Sequence, residues 1–120
     1  MTLSESTVAT MPRNFLRPCL LLSLAEGTAH GYELLDRVTA LGLTNADPGS
    51  LYRCLRAMDD EGLIESSWEP SSQGPARRKY ELTGNGQEAL DHAARSLAEL
   101  ATVLARFEER HRQAAAERSP

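Results

Sequence analysis

The fold is decided by GSLYRCLR at residues 49–56, which continues through EGLI at residues 61–64 to ARRKYELT at residues 76–83. In the first segment the apolar residues recur with a helical period, so one side is apolar and the other carries Arg53 and Arg56. The later segments are typical of two strands of a hairpin, and the second strand carries three consecutive cations. This order of elements predicts a winged helix that reads DNA.

The ends of this helix are marked in the sequence. Asp47 can cap free backbone N–H groups, Pro48 fits the first helical position, and Gly62 closes the helix. Its core face is predicted from apolar residues at i, i+4 and i+7, which are Leu51, Leu55 and Met58, with Cys54 beside them. Gly49, Arg53, Arg56 and Asp60 project to the far side.

Two helices are predicted upstream, over residues 15–26 and 30–41, and Gly27 and Gly42 end them. Their expected packing residues are Leu16, Leu20, Leu21, Leu24, Tyr32, Leu34, Leu35 and Val38. The helices on either side of residues 42–47 form a helix-turn-helix with a long turn.

The hairpin strands are predicted over residues 63–69 and 77–83, joined by the turn-forming residues 70–75. Alternation places Arg78 on the face of Tyr80, and Arg77 and Lys79 on the opposite face.

A long last helix is predicted over residues 85–113. Apolar residues recur every seven positions in two series offset by three, which are Leu90, Leu97 and Leu104, and Ala93, Leu100 and Phe107. A helix of about 42 Å is longer than a small domain needs, so we expect this stripe to pair with a second copy of the chain. The alternative is that it folds back on the first helix. Gly84 and Gly86 each disfavour helix by about 1 kcal/mol, so a late start or a hinge is expected there.

The predicted fold class is mostly α with a small β-hairpin: a winged helix-turn-helix plus a long C-terminal dimerisation helix. Residues 1–12 are expected to be a flexible arm and residues 13–83 the DNA-binding domain. Residues 84–113 are the dimerisation helix and residues 114–120 a disordered tail.

Composition limits the function classes. The chain has 120 residues and a net charge of −4, and it lacks an apolar run of membrane-spanning length or the layout of a signal peptide. No nucleophile–base set, phosphate loop or metal-ligand spacing is recognisable, so we expect no enzyme, cofactor or metal. Cys19 and Cys54 are read as small buried hydrophobes, with a redox pair as the alternative, and a reducing cytoplasm is expected.

Four segments, in order, resemble the PadR-like family of bacterial transcriptional regulators. They are HGYEL at 30–34, PGSLY at 48–52, LR at 55–56 with EGLI at 61–64, and GPARRKYELT at 74–83. The resemblance covers about residues 15–92. It implies a homodimeric winged helix-turn-helix of the short form with one C-terminal helix, usually a repressor. It also implies a near-palindromic double-stranded operator and, in some members, a phenolic or drug-like effector.

The chain departs from this family at two places. Arg53 stands where the family often has Pro, which adds a cation on the predicted DNA side. Gly84 follows Thr83 where the family tends to have Glu.

Eight residues are predicted to contact DNA: Gly49, Ser50, Tyr52, Arg53, Arg56, Arg77, Arg78 and Lys79. Helix-start amides and hydroxyls would bind phosphate or sugar, Arg53 and Arg56 would reach guanine, and the hairpin cations would neutralise phosphates. Simpler roles remain open for four residues: packing for Tyr52, a helix-start role for Ser50, pairing with Asp59 or Asp60 for Arg56, and cover of the core for Arg78. His30 is read as a structural residue at its helix start.

A candidate effector pocket at the dimer seam is formed by Leu16, Leu20, Trp68, Leu100 and Leu104. Packing is the alternative role for these residues, including Trp68. A protein-interaction module is the alternative function, because residues 13–83 carry eight Lys or Arg against ten Asp or Glu. The contiguous cations at 77–79 favour DNA.

Overall fold

The computed structural model describes residues 3–44, 46–70 and 74–118. In that part of the chain the elements follow in the order α1 (Glu5–Thr10), α2 (Leu16–Ala25), β1 (Ala29–His30), α3 (Gly31–Leu41), α4 (Pro48–Asp60), β2 (Ile64–Glu69), β3 (Arg77–Leu82) and α5 (Gly84–Arg118). The chain divides into two units, Met1–Leu90 and Asp91–Pro120. Within the described ranges, no helix is both long and apolar enough to cross a membrane.

The first unit is built around one apolar core. Its fully buried side chains come from α2, α3, α4 and β2, and they include Leu20, Leu34, Leu51, Leu55 and Ile64. The predicted core face of α4 is therefore confirmed, since Leu51, Leu55 and Met58 are all fully buried. The predicted α2 and α3 are confirmed to within one residue at each end.

Local capping fixes the start of α4. Asp47 Oδ1 accepts a hydrogen bond of 2.9 Å from the Ser50 N–H, and Pro48 occupies the first turn, as predicted. At the other end, Glu61 receives two hydrogen bonds from Arg17 of α2, at 2.7 and 2.8 Å. These bonds lower the pKa of the Glu61 carboxyl. Both ends of α4 are therefore fixed by side-chain hydrogen bonds.

The sheet has three antiparallel strands in the order β1-β3-β2, where the sequence predicted two. The hairpin pairs Ile64 with Leu82 and Ser66 with Tyr80, in agreement with the predicted strands. The added strand is only two residues long and pairs Ala29 with Tyr80. So short a strand has no periodicity, and only its distant partner defines it. The fold class, a mostly helical winged helix with a small sheet and a long C-terminal helix, is confirmed.

The last helix differs from its prediction at both ends. The expected late start is wrong, because α5 begins at Gly84 and the Thr83 hydroxyl caps it by accepting from the Gly86 N–H at 3.0 Å. A hinge there stays a prediction. The helix ends at Arg118 rather than 113, since three alanines at 114–116 favour helix. Of the predicted disordered tail, residues 114–118 are helical, and Ser119 and Pro120 lie outside the described residues.

The predicted N-terminal arm contains the short helix α1, which Ser4 caps by accepting from the Thr7 N–H at 3.1 Å. None of its side chains is buried, but Met11 just after it packs against the core. Residues 1–2 of the arm and residues 71–73 of the hairpin turn lie outside the described residues, as does Asn45.

Candidate nucleic-acid interface

The first turn of α4 holds three of the predicted DNA contacts in one hydrogen-bonded group. Ser50 Oγ donates to Asp47 Oδ2 at 2.8 Å and accepts from Arg53 Nη2 at 3.1 Å. Gly49 is exposed, and a Cβ there would lie 3.1 Å from Asp47 Oδ1. The Ser50 hydroxyl is therefore used inside the helix start, which supports its simpler role, while Arg53 remains exposed.

The same contacts make the Asp47 cap sensitive to acid. The backbone N–H and the hydroxyl of Ser50 lower the pKa of the Asp47 carboxyl. A carboxyl whose pKa is lower in the folded state than in the unfolded state stabilises the fold at any pH above its unfolded pKa, which is about 3.9 for Asp. This stabilisation is lost as the pH falls through the folded pKa. We therefore expect Asp47→Ala to melt a few degrees below the wild type at pH 7, and the difference in melting temperature to begin to narrow below about pH 4.

Thermal unfolding from pH 7 to pH 3 measures this gap. Asp36→Ala, which removes an exposed acid in the middle of α3, serves as the control and is expected to show no comparable closing. A gap for Asp47→Ala that stayed constant with pH would contradict the charged cap.

Tyr52 and Arg56 lie on the outer side of α4. Tyr52 is 45% exposed, yet its ring also packs over Gly31, where a Cβ would fall 2.6 Å from Tyr52 Cε1. The packing role of Tyr52 is thus supported. Arg56 is exposed and, among the described residues, forms no ion pair with Asp59 or Asp60. Its guanidinium is consequently available to a ligand.

The three hairpin cations have different surroundings. Arg78 Nε donates to Ser66 Oγ at 2.9 Å, and the guanidinium lies over the Trp68 ring, 5.5 Å from its centroid. Arg78 also lies 3.8 Å from Asp59 of α4, so it braces the hairpin against that helix, which supports its simpler role. Lys79 Nζ is 3.7 Å from Glu69 Oε2. Arg77 contacts no carboxylate among the described residues.

Arg77 instead contacts Tyr32, a residue that was predicted to pack in the core. Arg77 Nη1 donates to the Tyr32 hydroxyl at 3.2 Å, and the guanidinium lies 5.5 Å from the ring centroid. Tyr32 is 53% exposed, so the packing prediction is wrong. At 100° per residue Tyr32 projects about 160° away from the buried Leu34, and this angle could have revealed its exposure.

His30 has the structural role that was expected. Its backbone N–H donates to Glu33 Oε1 at 2.9 Å, and its Nδ1 lies 2.8 Å from the same oxygen. Its Nε2 lies 3.5 Å from Glu69 Oε2. These contacts hold the start of α3 beside the sheet. In the part of the chain that the structure describes, no group of three or more metal-binding side chains is present.

The cysteines also match the simpler interpretation. Cys19 is buried, and burial raises the pKa of its thiol to about 11. Cys54 is half-buried, and burial raises the pKa of its thiol as well. Both thiols are therefore held in the protonated, weakly nucleophilic form.

The candidate effector residues have dissimilar surroundings. In the first unit Leu20 is fully buried in the core, Leu16 is half-buried against it, and Trp68 is 65% exposed. Leu20 is therefore a core residue and cannot line an open pocket without repacking. In the second unit Leu100 and Leu104 are exposed on α5.

The dimerisation stripe is likewise distributed over both units. Leu90 belongs to the first unit and packs partly against its core. In the second unit Ala93 and Leu97 are half-exposed, while Leu104 and Phe107 are 54% and 69% exposed in the single chain.

Comparison with known proteins agrees with this architecture. The model of the transcriptional regulator PadR-like family matches residues 20–92, which is more than half of the chain. A 37.1 kDa protein in transposon TN4556 of Streptomyces fradiae is 31% identical over 90 residues, which are 75% of this chain. The chain spans only 25% of that relative's length.

Solved structures are similar as well. A PadR-like transcriptional regulator from Bacillus cereus is 33% identical with a TM-score of 0.69, over 77% of this chain and 89% of that one. PadR of Bacillus subtilis, solved with operator DNA, is 23% identical with a TM-score of 0.62, over 69% of this chain and 48% of that one. Members of this family are transcriptional regulators and not enzymes. The chain belongs to the PadR-like family of transcriptional regulators.

Proposed function

We propose that the protein is a homodimeric, sequence-specific DNA-binding repressor that acts in the cytoplasm. The observation that carries this proposal is that α4 and the hairpin meet at one surface. Arg56 of α4 and Arg78 of β3 line a groove of about 190 Å³, which Asp59 and Asp60 of α4 also border. The helix that would enter the major groove and the strand that would follow the backbone are therefore neighbours. The complex of Bacillus subtilis PadR with operator DNA supports the same use of this fold.

Within this surface the eight predicted residues divide by function. Arg53 and Arg56 are exposed on α4 and are long enough to reach guanine O6 and N7. Arg77 and Lys79 would neutralise phosphates, which adds affinity without sequence information. Gly49, Ser50, Tyr52 and Arg78 shape and brace the surface through the contacts described above, and their exposed atoms remain within reach of the backbone.

Dimerisation supplies the second half of the reading surface. The exposed apolar side chains of residues 91–118 have no cover within that unit, and their seven-residue repeat is typical of a helix that packs on a copy of itself. Two related protomers would read two related half-sites, which predicts a near-palindromic operator. A small-molecule effector stays a prediction of the family resemblance.

The salt dependence of DNA binding tests this proposal. Each cation that neutralises a phosphate contributes about 0.9 to the slope of log K against log salt. We expect a steep fall for the wild type with a promoter fragment of its own gene, and Arg77→Ala in a dimer to reduce the slope by about two. Arg53→Ala should instead relax base preference, because a bidentate guanine contact carries about 1–3 kcal/mol of discrimination.

Arg95→Ala is the matched control, since Arg95 is exposed on α5 at a position opposite the apolar stripe. It removes one cation and should leave the slope unchanged. DNA binding that does not depend on salt, or binding to a protein partner and not to DNA, would instead favour a protein-interaction module. That alternative was left open because residues 13–83 carry more Asp and Glu than Lys and Arg.

A further inference from the structure

A second, larger groove lies in the first unit beside the one that joins α4 to the hairpin. It has a volume of about 500 Å³ and is formed where the start of α3 approaches α4 and β3. Three tyrosines and two arginines line most of it, namely Tyr32, Tyr52, Tyr80, Arg77 and Arg78. Hydroxyl and guanidinium groups are hydrogen-bond donors, so the groove suits an acceptor-rich, anionic group.

Tyr32 and Arg77 form a preorganised pair at this groove. Because the Tyr32 oxygen accepts from Arg77 Nη1 at 3.2 Å, its own hydrogen remains free to donate. The ring of His30 also stacks on the Tyr32 ring, with centroids 5.7 Å apart and planes within 4°, which restricts the orientation of the Tyr32 ring. The pair thus presents a hydroxyl donor and guanidinium donors side by side.

Two carboxylates on the same elements as this pair or on the adjoining strand, Glu33 and Glu69, have other partners. Glu33 accepts from the His30 backbone N–H, and that bond with the His30 ring contact lowers the pKa of its carboxyl. Glu69 lies 3.7 Å from Lys79 Nζ. Arg77, whose cross-strand neighbour is Glu69, forms no ion pair with any carboxylate of the described residues.

We propose that this groove holds one backbone phosphate of the bound duplex, contacted together by the Tyr32 hydroxyl and the Arg77 guanidinium. The proposal rests on the DNA-binding function above and adds a contact on α3, outside the eight residues that the sequence predicted. Its position agrees with the general docking geometry, because the first helix of a helix-turn-helix crosses the DNA backbone while the second enters the major groove. Gly31 is needed here, since any larger residue would displace Tyr52 from the groove wall.

The test uses the full-length dimer and a duplex selected in vitro by the wild-type protein. Tyr32→Phe keeps the ring and removes the hydroxyl, so affinity is expected to fall at least about tenfold with an unchanged salt slope. Arg77→Gln is expected to lower both affinity and slope. The double variant should lose less than the product of the two single losses, because both groups act on the same phosphate.

Thr39→Ala is the matched control, because it removes an exposed hydroxyl near the other end of α3. It should bind like the wild type. Single methylphosphonate substitutions along the duplex then locate the phosphate. At one position in a half-site the wild type should lose about tenfold, and Tyr32→Phe should lose less, because only the Arg77 contact remains to be lost.

Two results would overturn the inference and leave the proposed function intact. One is a Tyr32→Phe variant that binds the selected duplex as tightly as the wild type. The other is a methylphosphonate profile that is identical for the two proteins. If the wild type selects no duplex at all, the proposed function itself fails.

Discussion

Gly86→Ala is expected to destabilise the first unit by about 2–3 kcal/mol, a melting-temperature loss of roughly 10–20 °C. Gly86 is buried in the first turn of α5, against the segment that leads into β2. A Cβ there would overlap the backbone oxygen of Leu63 and would lie 2.6 Å from Leu82 Cδ1. A backbone oxygen cannot rotate away as a side chain does, so the helix or the strand must move.

Gly84→Ala is the matched control for this prediction. Gly84 lies two residues away in the same helical turn, and a Cβ there would meet nothing within 4 Å. Since alanine favours helix over glycine, Gly84→Ala should be as stable as the wild type or slightly more stable. The comparison requires only thermal and urea unfolding of three proteins. Equal stability of Gly86→Ala and Gly84→Ala would show that α5 does not start against Leu63.

Phe107→Asp is expected to abolish dimerisation and to weaken operator binding by at least about 100-fold. Phe107 is the most exposed large apolar side chain of the stripe, so a charge there would have to be buried in the proposed helix pair. Two linked half-site contacts exceed a single one by about 10²–10⁴ in affinity, and a monomer loses that gain. Sedimentation and operator titration on the same samples measure both effects.

Thr102→Asp provides the control, because it adds the same charge on the side of α5 away from the stripe. It should leave a dimer with wild-type affinity. A wild-type protein that sediments as a monomer while binding its operator tightly would contradict the proposed pairing of the C-terminal helices. So would a Phe107→Asp variant that remains dimeric.

The residues of α4 illustrate what could be predicted from the sequence. Its start, its core face and the exposure of its arginines all follow from neighbouring residues: a capping Asp, a first-turn Pro and an apolar period of a helix. The hairpin strands were predicted for the same reason, since alternation and turn residues are local signals. The predicted DNA-binding residues of these elements therefore lie at positions that the structure leaves mostly exposed.

The start of α5 shows where local reasoning failed. Two glycines were read as an obstacle to the helix, because propensity counts only the cost of glycine within its own segment. In the structure Gly86 is what allows the helix to approach Leu63, so the tertiary contact outweighs the propensity.

The sequence by itself determined the order of the four longer helices and the two hairpin strands, the core face of α4 and the family to which the chain belongs. Only the tertiary structure decided that Ala29 and His30 form a third strand, that Arg78 is braced by Trp68 and Asp59, and that Arg77 meets Tyr32. The physical reason is separation along the chain: capping and periodicity act within a few residues, whereas the Tyr32–Arg77 bond joins side chains 45 residues apart. Packing of the core brings such partners together, and no pattern of neighbouring residues predicts this contact.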